Sequence, residues 1–144
     1  QWSYRYFVEA MSTSCDFWKS DEIFNCAYNH FIYKTGYRFR DRSIGHGADN
    51  DTRLVSAGWI MVDENDTQWR AILRLGKLNR GGPPDSANTI APTPQDIVSL
   101  DVSHSRAFSF GVIDVGAGYE DVDDRTSGVS SSNGRLYVQW RSSY

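Results

Sequence analysis

The chain has 144 residues, 40% of them hydrophobic and 14% aromatic, with a formal net charge of -3. That length suits one domain, and the mild acidity without a Lys/Arg stripe argues against a nucleic-acid partner. No run of about 18 apolar residues is present, so no transmembrane helix is expected.

Period-two alternation recurs from the start of the chain, and helical periodicity does not. The first segment, "WSYRYFVEAMST", sets Tyr4, Tyr6, Val8 and Ala10 against Arg5, Phe7 and Glu9. It begins at Gln1 without Met or a signal peptide. This is expected of a chain that lost a leader or of a piece of a longer polypeptide. A long connection, 14–51, follows and holds Cys15 and Cys26. These could close a small disulfide loop in an oxidising compartment or stay as two thiols, and no zinc-ligand set accompanies them.

The second segment spans Thr52 to Val62, and its faces are ambiguous. Val55, Ala57, Trp59 and Met61 compete with Leu54, Ile60 and Val62. The tight "DEND" turn (63–66) leads to the third segment, Thr67 to Leu78. There Trp69, Ala71, Leu73 and Leu75 oppose Gln68, Arg70 and Arg74. A Gly/Pro-rich excursion (79–94) precedes the fourth segment, Asp96 to Ser105, with Val98, Leu100 and Val102 on one face. A short link near Ser105 and Arg106 leads to the fifth, Ala107 to Glu120, with Ile113, Val115, Ala117 and Tyr119 on one face. An Asp/Ser-rich connection (121–132) precedes the sixth, "GRLYVQWRSSY", with Leu136, Val138, Trp140 and Tyr144 in one register.

The expected fold is all-β: an antiparallel up-and-down meander of about six strands. Connections alternate long and short, which places long loops at one end and short turns at the other. Outer-membrane barrels have this arrangement. Large aromatics (Trp2, Tyr4, Trp59, Trp69, Phe108, Phe110, Tyr144) gather at the short-turn end, where an interfacial girdle would lie. Arg5, Glu9, Arg70, Arg74, Asp101, Asp114, Gln139 and Arg141 sit mid-strand on the polar face, as lumen residues would. The rival reading is a soluble β-sandwich or jelly-roll that binds or processes glycans, with its greasy faces packed into a protein core.

The most distinctive stretch is "YNHFIYKTGYRFRDRSIGHGADNDTRLVSAG" (28–58). Its Tyr28, His30, Ile32, Tyr33, "GYR" (36–38), Arg40, "RSIGH" (42–46), Asp49, Asp51 and Arg53 resemble the capsule assembly protein Wzi family. "LNR" (78–80) and "GYE" (118–120) support the match. The resemblance covers nearly the whole chain and corresponds to the family's carboxyl-terminal portion. It implies a large closed barrel in the bacterial outer membrane that binds capsular polysaccharide and helps attach it to the cell surface, without being an enzyme. About six strands are too few to close a membrane barrel. Residues 1–144 are therefore expected to be one unit, a carboxyl-terminal fragment of a larger transmembrane barrel. The aromatic terminal strand, ending at Tyr144, is the form that barrel assembly machinery recognises.

For function, Arg38, Arg40 and Arg42 alternate and would share a face in an extended segment, with Tyr37 and Phe39 opposite. Guanidinium forks suit acidic sugars, and Trp18, Tyr33 or Tyr37 could stack on sugar rings. The expected polysaccharide-binding residues are Tyr37, Arg38, Arg40, Arg42 and His46. The alternative is that the arginines pair with Asp41, Asp49 and Asp51 and pin a long loop. His46, Asp49 and Asp51 match no trusted metal spacing, so no metal or cofactor is expected.

Overall fold

The structure is a computed structural model. It describes residues 1–16, 19–21, 23–29, 32, 47–81, 84, 86 and 88–142, with the backbone alone of 38–39 and 42–43. Every element is a strand: β1 (Trp2–Ser12), β2 (Arg38–Phe39), β3 (Arg42–Ser43), β4 (Arg53–Asp63), β5 (Gln68–Leu78), β6 (Gln95–Phe108), β7 (Gly111–Asp124) and β8 (Val129–Arg141). Six form one antiparallel sheet in the order β1-β4-β5-β6-β7-β8, a pure meander, and β2 and β3 form a small separate ladder.

Two connections differ from the sequence expectation. The link between β6 and β7 lies at Ser109 and Phe110, beyond Arg106, because the alternation of Arg106 against Ile113 and Phe108 against Gly111 continues the ladder. The connection after β7 is short. Residues 121–124 and 129–132 pair as strand, leaving a tight turn at 125–128. The Asp124 carboxylate accepts the Thr126 and Ser127 amides at 2.8 and 3.0 Å. Gly128 takes a φ of 68° that favours glycine. Asp and Ser there serve the turn and the polar strand ends, so their abundance misreads as loop. The 63–66 turn is as expected: the Asp63 carboxylate accepts the Asn65 and Thr67 amides at 2.9 and 2.8 Å.

Register resolves the two faces, since residues directly opposite in a ladder point the same way. One level of the first face reads Val8–Ala57–Leu73–Leu100–Tyr119, and the next reads Tyr6–Trp59–Ala71–Val102–Ala117–Leu136. The ambiguity in β4 is thereby settled in favour of Val55, Ala57, Trp59 and Met61. The other face reads Phe7–Gly58–Ile72–Asp101–Gly118–Arg135, with Glu9–Ser56–Arg74–Ser99–Glu120 beside it. On it Asp101 is paired with Arg74 (2.6 Å) and with Arg135, and Asp114 with Arg141 (2.8 Å). Two rings lie flat along this wall, Phe7 over Gly58 and Tyr137 over Gly116, where a Cβ on either glycine would collide with the ring.

Among the described residues no second protein layer covers the apolar face. Among the described residues the buried hydrophobics are Leu78 and Ala91 only. Leu73, Leu75, Val98 and Leu100, on interior strands, remain 38–44% exposed. A sandwich would have buried these first. The apolar belt is bounded by charge at both ends of β4, Arg53 and Asp63. Ten residue steps at about 3.4 Å, tilted by about 40°, give a belt roughly 26 Å tall, close to the apolar band of membrane barrels.

At the turn end of the belt stand Trp2, Tyr4, Trp69 and Trp140, with Trp69 packed against His104 at 4.3 Å and Phe108 stacked on Phe110 at 5.3 Å. Trp59 is not in this rim. It lies level with Tyr6, nearer mid-belt. Tyr144 falls outside the described residues.

Candidate functional site

Apart from Ser99 on β6, the buried polar residues among those described gather at the opposite end, where long connections meet: Asp16, Asp49, Asn50, Asp51, Thr52, Asn79, Arg80 and Asn88. Buried polar groups persist only when paired, and here the pairing welds one loop to the next. The ladder of β1 and β4 runs one step further through Thr13, whose amide donates to the Thr52 carbonyl (2.9 Å) and whose hydroxyl accepts the Thr52 amide (3.0 Å). Cys15 and Cys26 form a disulfide, with Cα atoms 6.1 Å apart, that folds the chain back from Cys26 to Cys15.

That fold places Asp16 against Arg80 of the second connection. Arg80 Nη2 donates to Asp16 Oδ2 at 2.7 Å, the Ile23 amide donates to the same oxygen at 3.2 Å, and Arg53 Nη2 donates to Oδ1 at 3.3 Å. The Arg80 guanidinium, chiefly, holds the Asp16 carboxyl far below the usual carboxylate range, against the opposing push of burial. Arg80 also lies over the Phe24 ring at 5.2 Å and 3.8 Å from the Asp51 carboxylate. Its amide donates to the Asp51 carbonyl at 2.9 Å, and the Asn25 amide donates to Asp51 Oδ2.

Asparagines complete the weld. Asn88 Nδ2 donates to Asn50 Oδ1 at 2.7 Å, while Asn88 Oδ1 accepts the Ile90 and Ala91 amides at 3.1 and 2.9 Å. Asn79 Nδ2 reaches the Ala91 and Pro92 carbonyls at 3.1 and 3.2 Å. The β7–β8 turn joins in as Arg125 donates to the Arg80 carbonyl at 3.2 Å and Thr93 to Asp124 at 2.7 Å. Asp49, Asp51 and Asn79 adopt positive φ (59°, 50° and 48°), which Asp and Asn tolerate better than most residues. Sequence patterning missed Asp16, Asn88 and Arg125. The signals available were the position of Asp16 beside Cys15 and the "LNR" run that supplies Asn79 and Arg80.

The expected binding residues fall mostly outside this description. Tyr37, Arg40 and His46, together with Trp18, Tyr33 and Asp41, lie outside the described residues. Arg38 and Arg42 are described by backbone only. They belong to the β2–β3 ladder, in the register Arg38↔Ser43 and Phe39↔Arg42. That pairing is antiparallel, whereas Arg38 and Arg42 were expected in one extended segment. Asp49 and Asp51 are buried, and Arg80 lies 3.8 Å from the Asp51 carboxylate; the expected pairing of Asp41, Asp49 and Asp51 with Arg38, Arg40 and Arg42 lies outside the described residues. Among the described residues no three His, Cys, Asp or Glu side chains converge as a metal cage.

On the polar wall, nearer the turns, a second recess of about 300 Å³ is lined by Arg70, Ser103, Asp114, Tyr137, Gln139 and Arg141 among others. Hydroxyls, an amide and an ion pair beside one aromatic ring make a surface for hydrated, hydrogen-bonding ligands.

Among solved structures the chain is similar to Wzi of Escherichia coli, an outer-membrane protein involved in group 1 capsule assembly and a carbohydrate-binding β-barrel. The identity is 20% and the TM-score 0.68, over 92% of this chain and 28% of that one. The six-stranded meander is thus the fold of part of that barrel, and the chain spans 28% of its length. The curated proteins give no match. The family model described as capsule assembly protein Wzi matches residues 1–129, and the chain belongs to that family.

Proposed function

We propose that these strands form part of an outer-membrane β-barrel that binds capsular polysaccharide and helps hold it at the bacterial surface. The observation that carries this reading is the uncovered apolar belt of roughly barrel-wall height, backed by an ion-paired polar wall. Lipid satisfies the belt and water satisfies the wall. The open edges of β1 and β8 then require further strands, since unpaired backbone groups in hydrocarbon cost several kcal/mol each. Residues 1–144 are in this reading one unit of a larger wall, the carboxyl-terminal part of a longer chain, with the assembly machinery acting on its last strand.

At the welded rim, Asn25 and Asp51 hold the two ends of the 28–51 segment. Its Tyr37, Arg38, Arg40, Arg42 and His46 supply guanidinium forks and rings for acidic sugars. The role is binding and not catalysis. The test replaces Arg38, Arg40 and Arg42 by Ala in the intact protein. Capsule is then expected to be shed into the medium while the barrel still assembles in the membrane. Full retention of capsule by those cells removes the loop from the binding role.

A further inference from the structure

The loop-end margin of the apolar belt carries a directional charge pattern. The outward row just beyond Val55, Leu75 and Val98 reads Ser12, Arg53, Lys77, Asp96, Asp123, Ser130 across the sheet. Its cations stand side by side on β4 and β5, and its acids on β6 and β7. Arg125 leans from the β7–β8 turn toward the cationic half, with its Nε 3.8 Å from Asp96 and its Nη1 on the Arg80 carbonyl. Phe24 and Gly81 close the space above. The result is a cleft of about 530 Å³ lined by Phe24, Arg53, Lys77, Arg80, Gly81 and Arg125.

Four cations line this cleft and no carboxylate does. Two of the four are committed elsewhere, since Arg80 and Arg53 both bond Asp16. Lys77 is exposed and has no ion pair among the described residues, and the ion pair of Arg125 with Asp96 is a long one, 3.8 Å. The cleft therefore has spare positive charge. It opens on the same face as Val55, Leu75 and Val98, each more than 40% exposed immediately below it. An anion bound there has apolar surface beneath it and none of the polar wall within reach.

We propose that this cleft seats the phosphate-bearing headgroup of an outer-leaflet glycolipid, with the acyl chains lying along Val55, Leu75 and Val98. This rests on the membrane reading above. A soluble acidic glycan shares the charge but has no use for the apolar surface, so the lipid is the occupant that fits both halves of the site. Lys77 and Arg125 supply the headgroup contact, and Arg80 stays with the rim.

The test reconstitutes the intact protein into phosphatidylcholine vesicles doped with either an acylated diglucosamine bisphosphate or the same lipid stripped of phosphate. Lipid retained on the protein is counted by native mass spectrometry. The wild type is expected to retain the phosphorylated lipid selectively. Lys77→Gln/Arg125→Gln is expected to weaken that retention roughly 10- to 30-fold, the loss of two membrane-surface cations. Equal retention of both lipids by the wild type overturns the proposal without needing any variant. So does undiminished retention by the double variant, or competition by inorganic phosphate or an acidic oligosaccharide as effective as the lipid. A protein that never enters the vesicles is a different result: it sinks the membrane reading itself.

Discussion

In the proposed membrane wall, adjacent residues on β5 face lipid and water in turn. Leu73 lies on the apolar face, level with Val8, Ala57, Leu100 and Tyr119. It stands four residues from the charged row at Lys77, about 14 Å along the strand. With a tilt of about 40° that is roughly 10 Å of depth in a belt about 26 Å tall, close to the midplane. Leu73→Arg is expected to cost about 2–4 kcal/mol of folding free energy in a bilayer. Ile72→Arg, one residue away, points to the polar wall directly opposite Asp101, where the new cation meets water and a carboxylate. Its expected cost is under about 1 kcal/mol. The assay is denaturant unfolding in phospholipid vesicles, read by tryptophan fluorescence and by the electrophoretic mobility of the folded barrel. Equal costs, or a larger cost for Ile72→Arg, would refute the assignment of faces and with it the lipid-covered belt.

Two further outcomes follow from the same geometry. Gly116→Ala puts a methyl group into the space held by the Tyr137 ring and is expected to destabilise by about 1–3 kcal/mol. In a Tyr137→Ala background that cost should largely vanish, and a double-mutant cycle with no coupling would contradict the packing. Asp16 is held below its unfolded value of 3.8. Its contribution to rim stability is therefore complete above pH 4 and is lost as pH falls through the depressed folded value. Hydrogen exchange of residues 13–29 should stay flat from pH 7 to about 4, after correction for intrinsic rates, and rise only below that. Asp16→Asn should abolish this acid limb, while a loss centred near pH 6 would implicate another group.

What could be read in advance tracks how local the determining physics is. The strands of the belt were legible because alternation such as Trp69, Ala71, Leu73, Leu75 is written in consecutive residues. The face of β4 was not, since Leu54, Ile60 and Val62 alternate as well as Val55, Trp59 and Met61 do. Only the ladder with β1 and β5 decides it. The 121–132 segment misled because Asp and Ser suit strand ends facing water as readily as they suit a loop. The rim was nearly invisible. Asp16 and Arg80 are distant in sequence, and their pairing depends on a disulfide and on two strands already set side by side. The arginines of 38–42 show the converse failure. Their alternation is regular, yet Arg38–Phe39 and Arg42–Ser43 pair antiparallel.

The weld at the rim also determines how the molecule bears load. Under the proposed binding role, a pull delivered to the rim does not unzip one hairpin at a time. Tension enters through Thr13–Thr52, Asp16–Arg80 and Asn50–Asn88 and passes into the ends of β1, β4 and β5 together. Those strands are pulled lengthwise, so their ladders resist in shear, many bonds at once. A loop fastened in this way is a mooring and not a hinge.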